Sequence, residues 1–451
     1  MSMAVDGLIS GLDTTSLINS LMTLEAGPQN QLKAKVTSTN TLMTALQGLN
    51  TSIASLATLA GKATATDALD LYSATSNSAG VSVTAGASAT AGSIDVVVDR
   101  LAKAQVSVSD AVTAWPGSNF SITNTTSGKA TVISAGSSNL DDVVTAVNAS
   151  DSGVKAVKVA AGTDSSGNAL YRLQFTASST GAASAFSFSF DPSDPTTDPA
   201  MTKITAAQDA QVTLWAGTTA AQAITSATNT FSDLLPGVSV TALAVSDVPV
   251  TVSVSRNDAA VSTIASELVS ALNGVFALIS TKSAVVNSTD SSGKAVLSAG
   301  VFSGDSTVRD VKQQLLSAAS QPIDGHSPSE IGISITKSGT MEFDSSKFAT
   351  AMAADPEYVK GVLATIASRV EAAAENASDK YDGMITSRIT GQESLVKSLG
   401  TQIESWDVRL ASRRSTLERT YSAMEVQLSN MNAQSAWLTA QVEGLSSSNG
   451  K

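Results

Sequence analysis

Residues 396–417 read VKSLGTQIESWDVRLASRRSTL, with apolar side chains at Val396, Leu399, Ile403, Trp406, Leu410 and Leu417. Steps that alternate three and four residues set these side chains along one face of a helix, the heptad pattern of a coiled coil. The stripe continues through Tyr421, Met424, Leu428, Met431, Leu438, Val442 and Leu445. From Leu410 to Tyr421 the chain advances eleven residues, a stutter that locally relaxes left-handed supercoiling. A helix of this length cannot bury such a stripe by itself, so it needs a partner helix from its own chain or from a neighbouring subunit. Ile403, Trp406, Leu410 and Leu417, on the regular part of the stripe, are expected in the core of a helical stem.

The N-terminal end carries a matching pattern. Leu42, Leu46, Leu49, Ile53 and Leu56 keep heptad spacing, and Leu32, Val36 and Met43 extend it backward. Between the two helical ends the period changes to two. Val250, Val252 and Val254 alternate with Thr251, Ser253 and Ser255; Tyr171, Leu173 and Phe175 alternate with Arg172 and Gln174; Phe186, Phe188 and Phe190 alternate with Ser187 and Ser189. Ile94, Val96 and Val98 form another such run, and Val238 with Val240 begins one after a Pro236, Gly237 turn. Such alternation is the mark of half-buried antiparallel strands. One short helix, Leu140, Val143, Val144 and Val147 behind Asn139, interrupts them. After Asn257 and Asp258 the helical period returns at Val261, Ile264, Leu268, Leu272, Val275 and Ile279. A helix after Asp305, a hairpin turning at Ser338 and Gly339, and a helix capped by Asp355 with Pro356 at its first position follow.

The predicted fold is therefore α+β, with terminal coiled-coil helices forming a leg and stem and with inserted β-rich antiparallel head domains. The expected division is a terminal leg at 1–40 and 410–451, a helical stem with a small hairpin at 41–73 and 259–409, and a β-rich insertion at 74–258, which the resemblance of this chain to a known family divides into an inner head domain at 74–108 and 207–258 and a variable outer head domain at 109–206.

Composition narrows the function. The 451 residues include 27 basic and 39 acidic side chains, one histidine and no cysteine, for a net charge of −12. An acidic chain without clustered Lys and Arg is a poor match for nucleic acid or anionic membrane surfaces. The missing cysteines exclude disulfides, thiolate metal sites and a cysteine nucleophile. The apolar run from Leu268 to Ile279 is short for a membrane span and is interrupted by Ser270, Asn273 and Gly274. No basic residue precedes Lys33, so no secretory n-region is expected.

Candidate chemistry is sparse. His326 sits among turn formers, and a triad with Ser327 and Asp324 would rest on sequence proximity alone. Asp191, Asp194 and Asp198 share a proline-interrupted loop but match no dedicated calcium loop. The sequence Thr, Asp, Ser, Ser, Gly occurs at 163–167 and again at 289–293, as expected of two tight turns. Asp141 and Asp142 open a helix, where negative charge meets the positive end of the dipole. With no phosphate loop or nucleophile elbow, the chain is expected to be no enzyme, with no catalytic residue, no metal site and no cofactor.

The N-terminus is more specific. Asp6, Gly7, Leu8, Ile9, Ser10, Gly11, Leu12 and Asp13, followed by Leu17, Ile18, Leu21, Met22, Glu25 and Pro28, resemble the opening of the flagellar cap proteins, the FliD or hook-associated protein 2 family. Leu234 to Val238 are similar to that family's Leu-Leu-Pro-Gly turn, and Gly304, Asp305 and Ser306 to its Gly-Asp-Ser segment. Ile331 to Gly339, Phe343, Asp344, Asp355 and Pro356 are similar to its Leu-Gly-Ile hairpin and the helices after it. Met424, Glu425, Leu428, Met431, Asn432, Gln434 and Leu438 resemble its closing coiled coil. No specific motif stands between about 111 and 206.

The resemblance implies a protein exported unfolded through the flagellar type III channel and assembled as a ring, a pentameric cap, at the distal tip of the filament outside the cell. There it would promote folding and insertion of flagellin and prevent its loss. The partners implied are further copies of the chain, flagellin, hook–filament junction proteins and a cytoplasmic export chaperone, with no nucleic acid and no membrane insertion. Leu12, Leu17, Leu21, Leu428, Met431, Leu438 and Leu445 would form a terminal layer that docks on the filament. A flagellin-like or hook–filament junction subunit would share terminal coiled coils, though its termini carry other motifs. A surface adhesin displayed at the filament tip is a third reading.

Overall fold

Asp13 opens the first helix by accepting a hydrogen bond from the Ser16 amide at 2.7 Å, which satisfies one of the N–H groups that a first turn leaves free. A computed structural model describes residues 11–190, 200–289 and 292–448, and their side chains except those of Asp233 and 444–448. Helix α1 is Thr14–Glu25, and after Ala26 the chain enters α2, Gly27–Thr64. The chain divides into two compact units, one of residues 1–65 with 262–451 and one of residues 66–261.

The second unit is made of antiparallel sheets. Strands β1 (Tyr72–Ser76), β2 (Val81–Ala85), β3 (Gly92–Arg100), β4 (Val106–Ser109), β5 (Asn119–Asn124) and β6 (Ala130–Ser134) precede helix α3 (Leu140–Ala149). After it come β7 (Val154–Thr163), β8 (Ala169–Ala177), β9 (Phe186–Ser189), β10 (Met201–Thr205), β11 (Ala210–Leu214), β12 (Gln222–Ser226), β13 (Thr230–Leu235), β14 (Val238–Ala242) and β15 (Val250–Arg256). One core lies under the sheets ordered β1-β15-β3-β11-β12 and β13-β14-β2. Val250 faces Val96 and Val252 faces Ile94 across one ladder, so the alternate valines of both strands are buried on the same face. A one-residue slip would turn that face to water, which is why the alternation specifies the register. Gly237, in the β13–β14 turn, has φ +67° and lies so close to the Ser88 and Ala89 backbone that a Cβ there would stand 2.6 Å from the Ala89 nitrogen.

A second core lies between the sheets ordered β10-β4-β8-β7 and β6-β5-β9, with α3 against it. Five of the chain's ten phenylalanines, Phe120, Phe175, Phe186, Phe188 and Phe190, gather there around Trp115. The Phe175 and Phe188 rings are 4.5 Å apart, and Trp115 meets Phe120 edge-on at 6.0 Å. A chain poor in aromatics thus spends them in one place, where each buries a large area. The buried Gln105 amide closes the join, donating to the Phe186 carbonyl at 2.8 Å and accepting from the Phe186 amide at 3.1 Å.

The chain then forms α4 (Asp258–Ser283), opened by Asn257, whose side chain accepts from the Ala260 amide at 3.0 Å. The apolar run from Leu268 to Ile279 is part of a longer helix. At 26 residues α4 is long and apolar enough to cross a membrane by length and composition. Its Ala265, Leu268, Leu272, Val275, Phe276 and Ile279 are instead buried inside the protein. After α4 come the hairpin β16 (Val286–Thr289) and β17 (Ala295–Ser298), helix α5 (Ser306–Ser320), and the hairpin β18 (Ile333–Ile335) and β19 (Met341–Phe343). Helices α6 (Ser345–Ala354), α7 (Pro356–Ser378) and α8 (Met384–Ser448) complete the unit. Helix α2 packs on α7 and α8, with Leu46, Leu49, Ile53 and Leu56 buried on its side and Val359, Leu363, Ile366 and Val370 buried on α7. The Gly-Asp-Ser segment acquires a physical role. Asp305 caps α5 by accepting from Val308 and also receives Arg388 of α8 at 3.2 Å. Asn273 of α4 brackets Met341 with both halves of its amide, fixing β19 to the helix.

Replacing Ile53 by Ala should cost about 2–5 kcal/mol of unfolding free energy in urea, as large-to-small changes in a closed core do. Leu24→Ala, at a position 79% exposed, should stay within about 0.5 kcal/mol. Equal losses for the two would show that the α2 stripe is not the core of this unit.

Candidate functional site: the paired terminal helices

Helix α1 and the start of α2 run antiparallel to α8, and polar side chains hold them in register. Arg414 donates to the Asn19 side chain at 2.7 Å, Arg413 to Glu25 at 2.9 Å, and the Gln29 amide to Asp407. Lys33 donates to Gln29 at 3.2 Å. The partners rise from 19 to 29 on one side as they fall from 414 to 407 on the other, so both ends of the described chain lie toward the same end of this helix pair. Gln29, though polar, is buried, which its two hydrogen bonds make tolerable. Arg414 also holds Glu418 one turn on, and Arg409 covers the Trp406 ring at 4.4 Å. The exposed ion pair of Arg413 with Glu25 contributes about 0–1 kcal/mol, enough to favour a register, and the other links between the helices are hydrogen bonds.

Along α8 burial fades toward the C-terminus. Ile385 and Leu399 are buried; Ile403, Trp406, Leu410 and Leu417 are half-buried. Beyond the stutter Leu428 is half-buried, and Met431 and Leu438 are exposed. Leu12, just before α1, and Leu17 are exposed, Leu21 is half-buried, and on α1 only Thr14 and Ile18 are buried. The Leu445 side chain and the run from Asp6 to Ser10 lie outside the described residues. Four exposed apolar residues join the predicted set: Leu24, Val426, Trp437 and Val442. Met431, Leu438 and Val442 recur at seven and four residues, so they share a face of the helix. Apolar side chains left open in a series on one helix are the usual sign of a surface that another protein covers. The polar clamp from Arg413 and Arg414 to α1 was not legible in the sequence, because charged residues between heptad positions read as a solvated face.

The other candidates within the described residues make local hydrogen bonds and ion pairs. His326 Nδ1 lies 3.0 Å from Glu330, whose carboxylate also accepts from the Ser327 amide in a capping box. Ser327 Oγ pairs with Ser329 at 2.9 Å. The hydrogen bond from His326, then that from Ser327, holds the Glu330 carboxyl below its usual range. Asp141 pairs with Lys158, and Asp142 accepts from Ser137. Asp164 closes the predicted tight turn, accepting from Asn168 and Ser166, and the Asn168 side chain first among these lowers its carboxyl. Among the described residues no three His, Asp or Glu side chains gather as a metal site. Asp191, Asp194 and Asp198 lie outside those residues.

Comparison with known proteins fits this geometry. The family model for the N-terminus of flagellar hook-associated protein 2 matches residues 10–105, and that for its C-terminus matches residues 207–433. The stretch 106–206, which builds the aromatic core, falls outside both. Flagellar hook-associated protein 2 of Escherichia coli O157:H7 is 26% identical over 98% of both chains, and the A-type protein of Pseudomonas aeruginosa is 24% identical over 98% of both. The crystal structure of the D1-D2-D3 domains of the flagellar cap protein FliD from Escherichia coli superposes with a TM-score of 0.61 at 22% identity, covering 77% of this chain and 99% of that one. This last likeness is one of fold.

Two outcomes follow from the burial gradient and the histidine pair. Leu410→Asp should lower the melting temperature, because even half of the roughly 1.5–3 kcal/mol from full burial of a leucine is then lost, whereas Leu438→Asp should leave it unchanged. Equal shifts would make the terminal stripe part of the folded stem. In an NMR titration, His326→Ala should move the Glu330 carboxyl up toward the ordinary glutamate range. A carboxyl lowered in the folded state adds stability above its unfolded value and loses it as pH falls through the folded one, so the variant should lose stability above that window and none well below it.

Proposed function

We propose that this chain, which belongs to the flagellar hook-associated protein 2 family, caps the flagellar filament: a structural ring at the distal tip that guides exported flagellin into place and prevents its escape. The observation that carries this reading is the exposed apolar series on the terminal helices, Leu17 and Leu24 on one side and Met431, Trp437, Leu438 and Val442 on the other. A filament tip is a helical array whose last subunits lack neighbours, and exposed leucines at coiled-coil spacing can take the place of those neighbours. The weak polar register between α1 and α8 supports the same reading, since the pair can adjust as each new subunit arrives.

In this reading the terminal leg comprises 1–40 and 410–451, and the stem 41–73 and 259–409. The inner β domain, 74–108 and 207–258, builds the ring plate, and the outer domain, 109–206, faces solvent. The ring is pentameric, and the partners are flagellin, the hook–filament junction proteins and an export chaperone that shields the apolar helices before secretion. The protein works outside the cell, reaches the tip through the flagellar export channel without a cleaved signal, and performs no catalysis. The family match does not favour a flagellin-like or junction subunit.

In cells lacking their own cap, the full chain should restore filaments and keep flagellin out of the medium. A chain carrying Leu428→Asp with Leu438→Asp should be secreted normally yet leave flagellin in the medium at the level of the uncomplemented strain. Full retention of flagellin by the double variant would remove the C-terminal stripe from the docking role.

A further inference from the structure

Outside the terminal helices, one element of the helical unit is bare on every side. Strands β16 and β17 pair only with each other, in a regular register of Val286 with Ser298, Asn287 with Leu297, Ser288 with Val296 and Thr289 with Ala295. All eight residues are exposed, Leu297 at 74% and Val286 at 54%, and Val285 just before them at 58%. A lone two-stranded hairpin is marginal in water, and every second residue of each strand turns its N–H and C=O outward, unpaired. Free edges are ordinarily guarded by Lys, Pro, a bulge or a covering element. Among the described residues this hairpin has none of these within its strands.

Its base, by contrast, is held firmly. Gly300 lies where a Cβ would stand 2.3 Å from the Lys282 carbonyl and 2.7 Å from that of Ala284, and the buried Phe302 donates to the Lys282 carbonyl at 2.9 Å. The hairpin is thus an anchored strand pair that offers two different edges.

We infer that this hairpin joins neighbouring copies of the chain, the free edge of β17 in one copy pairing with the free edge of β16 in the next. The inference rests on the ring reading for its occupant. Charge and geometry are compatible with a second copy. A contact of one edge with a different edge would be heterologous, the type that closes into a ring where the rotation allows and otherwise extends as a filament. Each copy also carries a net charge of −12, so copies repel across most of their surfaces, and the eight strand residues present an uncharged face where approach costs least. A four-residue ladder buries far less than the roughly 1,200–2,000 Å² of a stable interface, so it is one part of the subunit boundary and acts chiefly on register.

The absence of cysteine from the natural chain makes the test clean. Full-length Val286→Cys is mixed in turn with Val296→Cys, Leu297→Cys or Ser298→Cys, oxidised, and the oligomer fraction read on a non-reducing gel. At least one mixture should give a linked dimer, and no single variant should, because equivalent residues two strands apart are beyond the Cβ separation of about 3.5–4.5 Å that a disulfide needs. An oligomer in which no mixture links, or in which a single variant links to itself, overturns the contact and leaves the ring reading standing. If the unaltered chain forms no oligomer at all, the ring reading falls and this contact with it. As a second measurement, Val286→Lys with Leu297→Lys should leave monomer unfolding unchanged and raise the dissociation constant of the oligomer at least tenfold; an unchanged constant overturns the inference.

Discussion

Burial of the leucine face of α2 against α7 and α8 is the interaction on which the helical unit depends. Leu46, Leu49, Ile53 and Leu56 are almost wholly withdrawn from water, and each such burial is worth roughly 1.5–3 kcal/mol. That contact joins residues near position 50 to residues beyond 350, so it closes the chain around everything inserted between them. The caps and side-chain brackets of the unit refine a geometry that this face has already imposed. Asp305 with Arg388 sets the start of α5 against α8, and Asn273 sets β19 on α4.

The same helix that contributes to this core also leaves it. Helix α8 begins with the buried Ile385 and continues through half-buried Ile403 and Leu410 to the open Met431 and Leu438. No change of composition marks the transition, because the stripe keeps its spacing while the partners run out. Where α1 and the start of α2 lie beside α8, the contact passes from leucines to Asn19, Glu25 and Gln29 with Arg414, Arg413 and Asp407. One exposed ion pair and the hydrogen bonds beside it hold direction and register, each with a small gain, which suits the proposed docking of these helices on other proteins.

The inserted unit solves a different problem. A chain with 4% aromatic residues builds one of its cores from valine alternation and the other from a concentrated aromatic cluster around Trp115. The aromatic core falls in the stretch that neither family model covers, whereas the valine core lies within the matched regions. The stretch outside both family models therefore has its own core, separate from the valine one.

Much of this was legible in the residues. Heptad spacing identified the long helices, and period two identified β3, β8, β9 and β15. Asn139, Asn257, Asp305 and Asp355 each marked a helix start, because a capping side chain acts within a few residues of itself. The hairpin β16–β17, by contrast, is too short and too rich in serine to stand out from a loop, and α6, capped by Asp344, was hidden behind the preceding hairpin. Of the candidate site, the apolar stripe was readable but its fate was not, since one spacing describes Leu399, which is buried, and Leu438, which is not. Sequence by itself determined which faces of which elements are apolar, a local property of residue spacing. Only the tertiary structure decided which of those faces find a partner within the chain, because burial depends on what the rest of a folded chain brings alongside, and spacing along one helix carries no record of it.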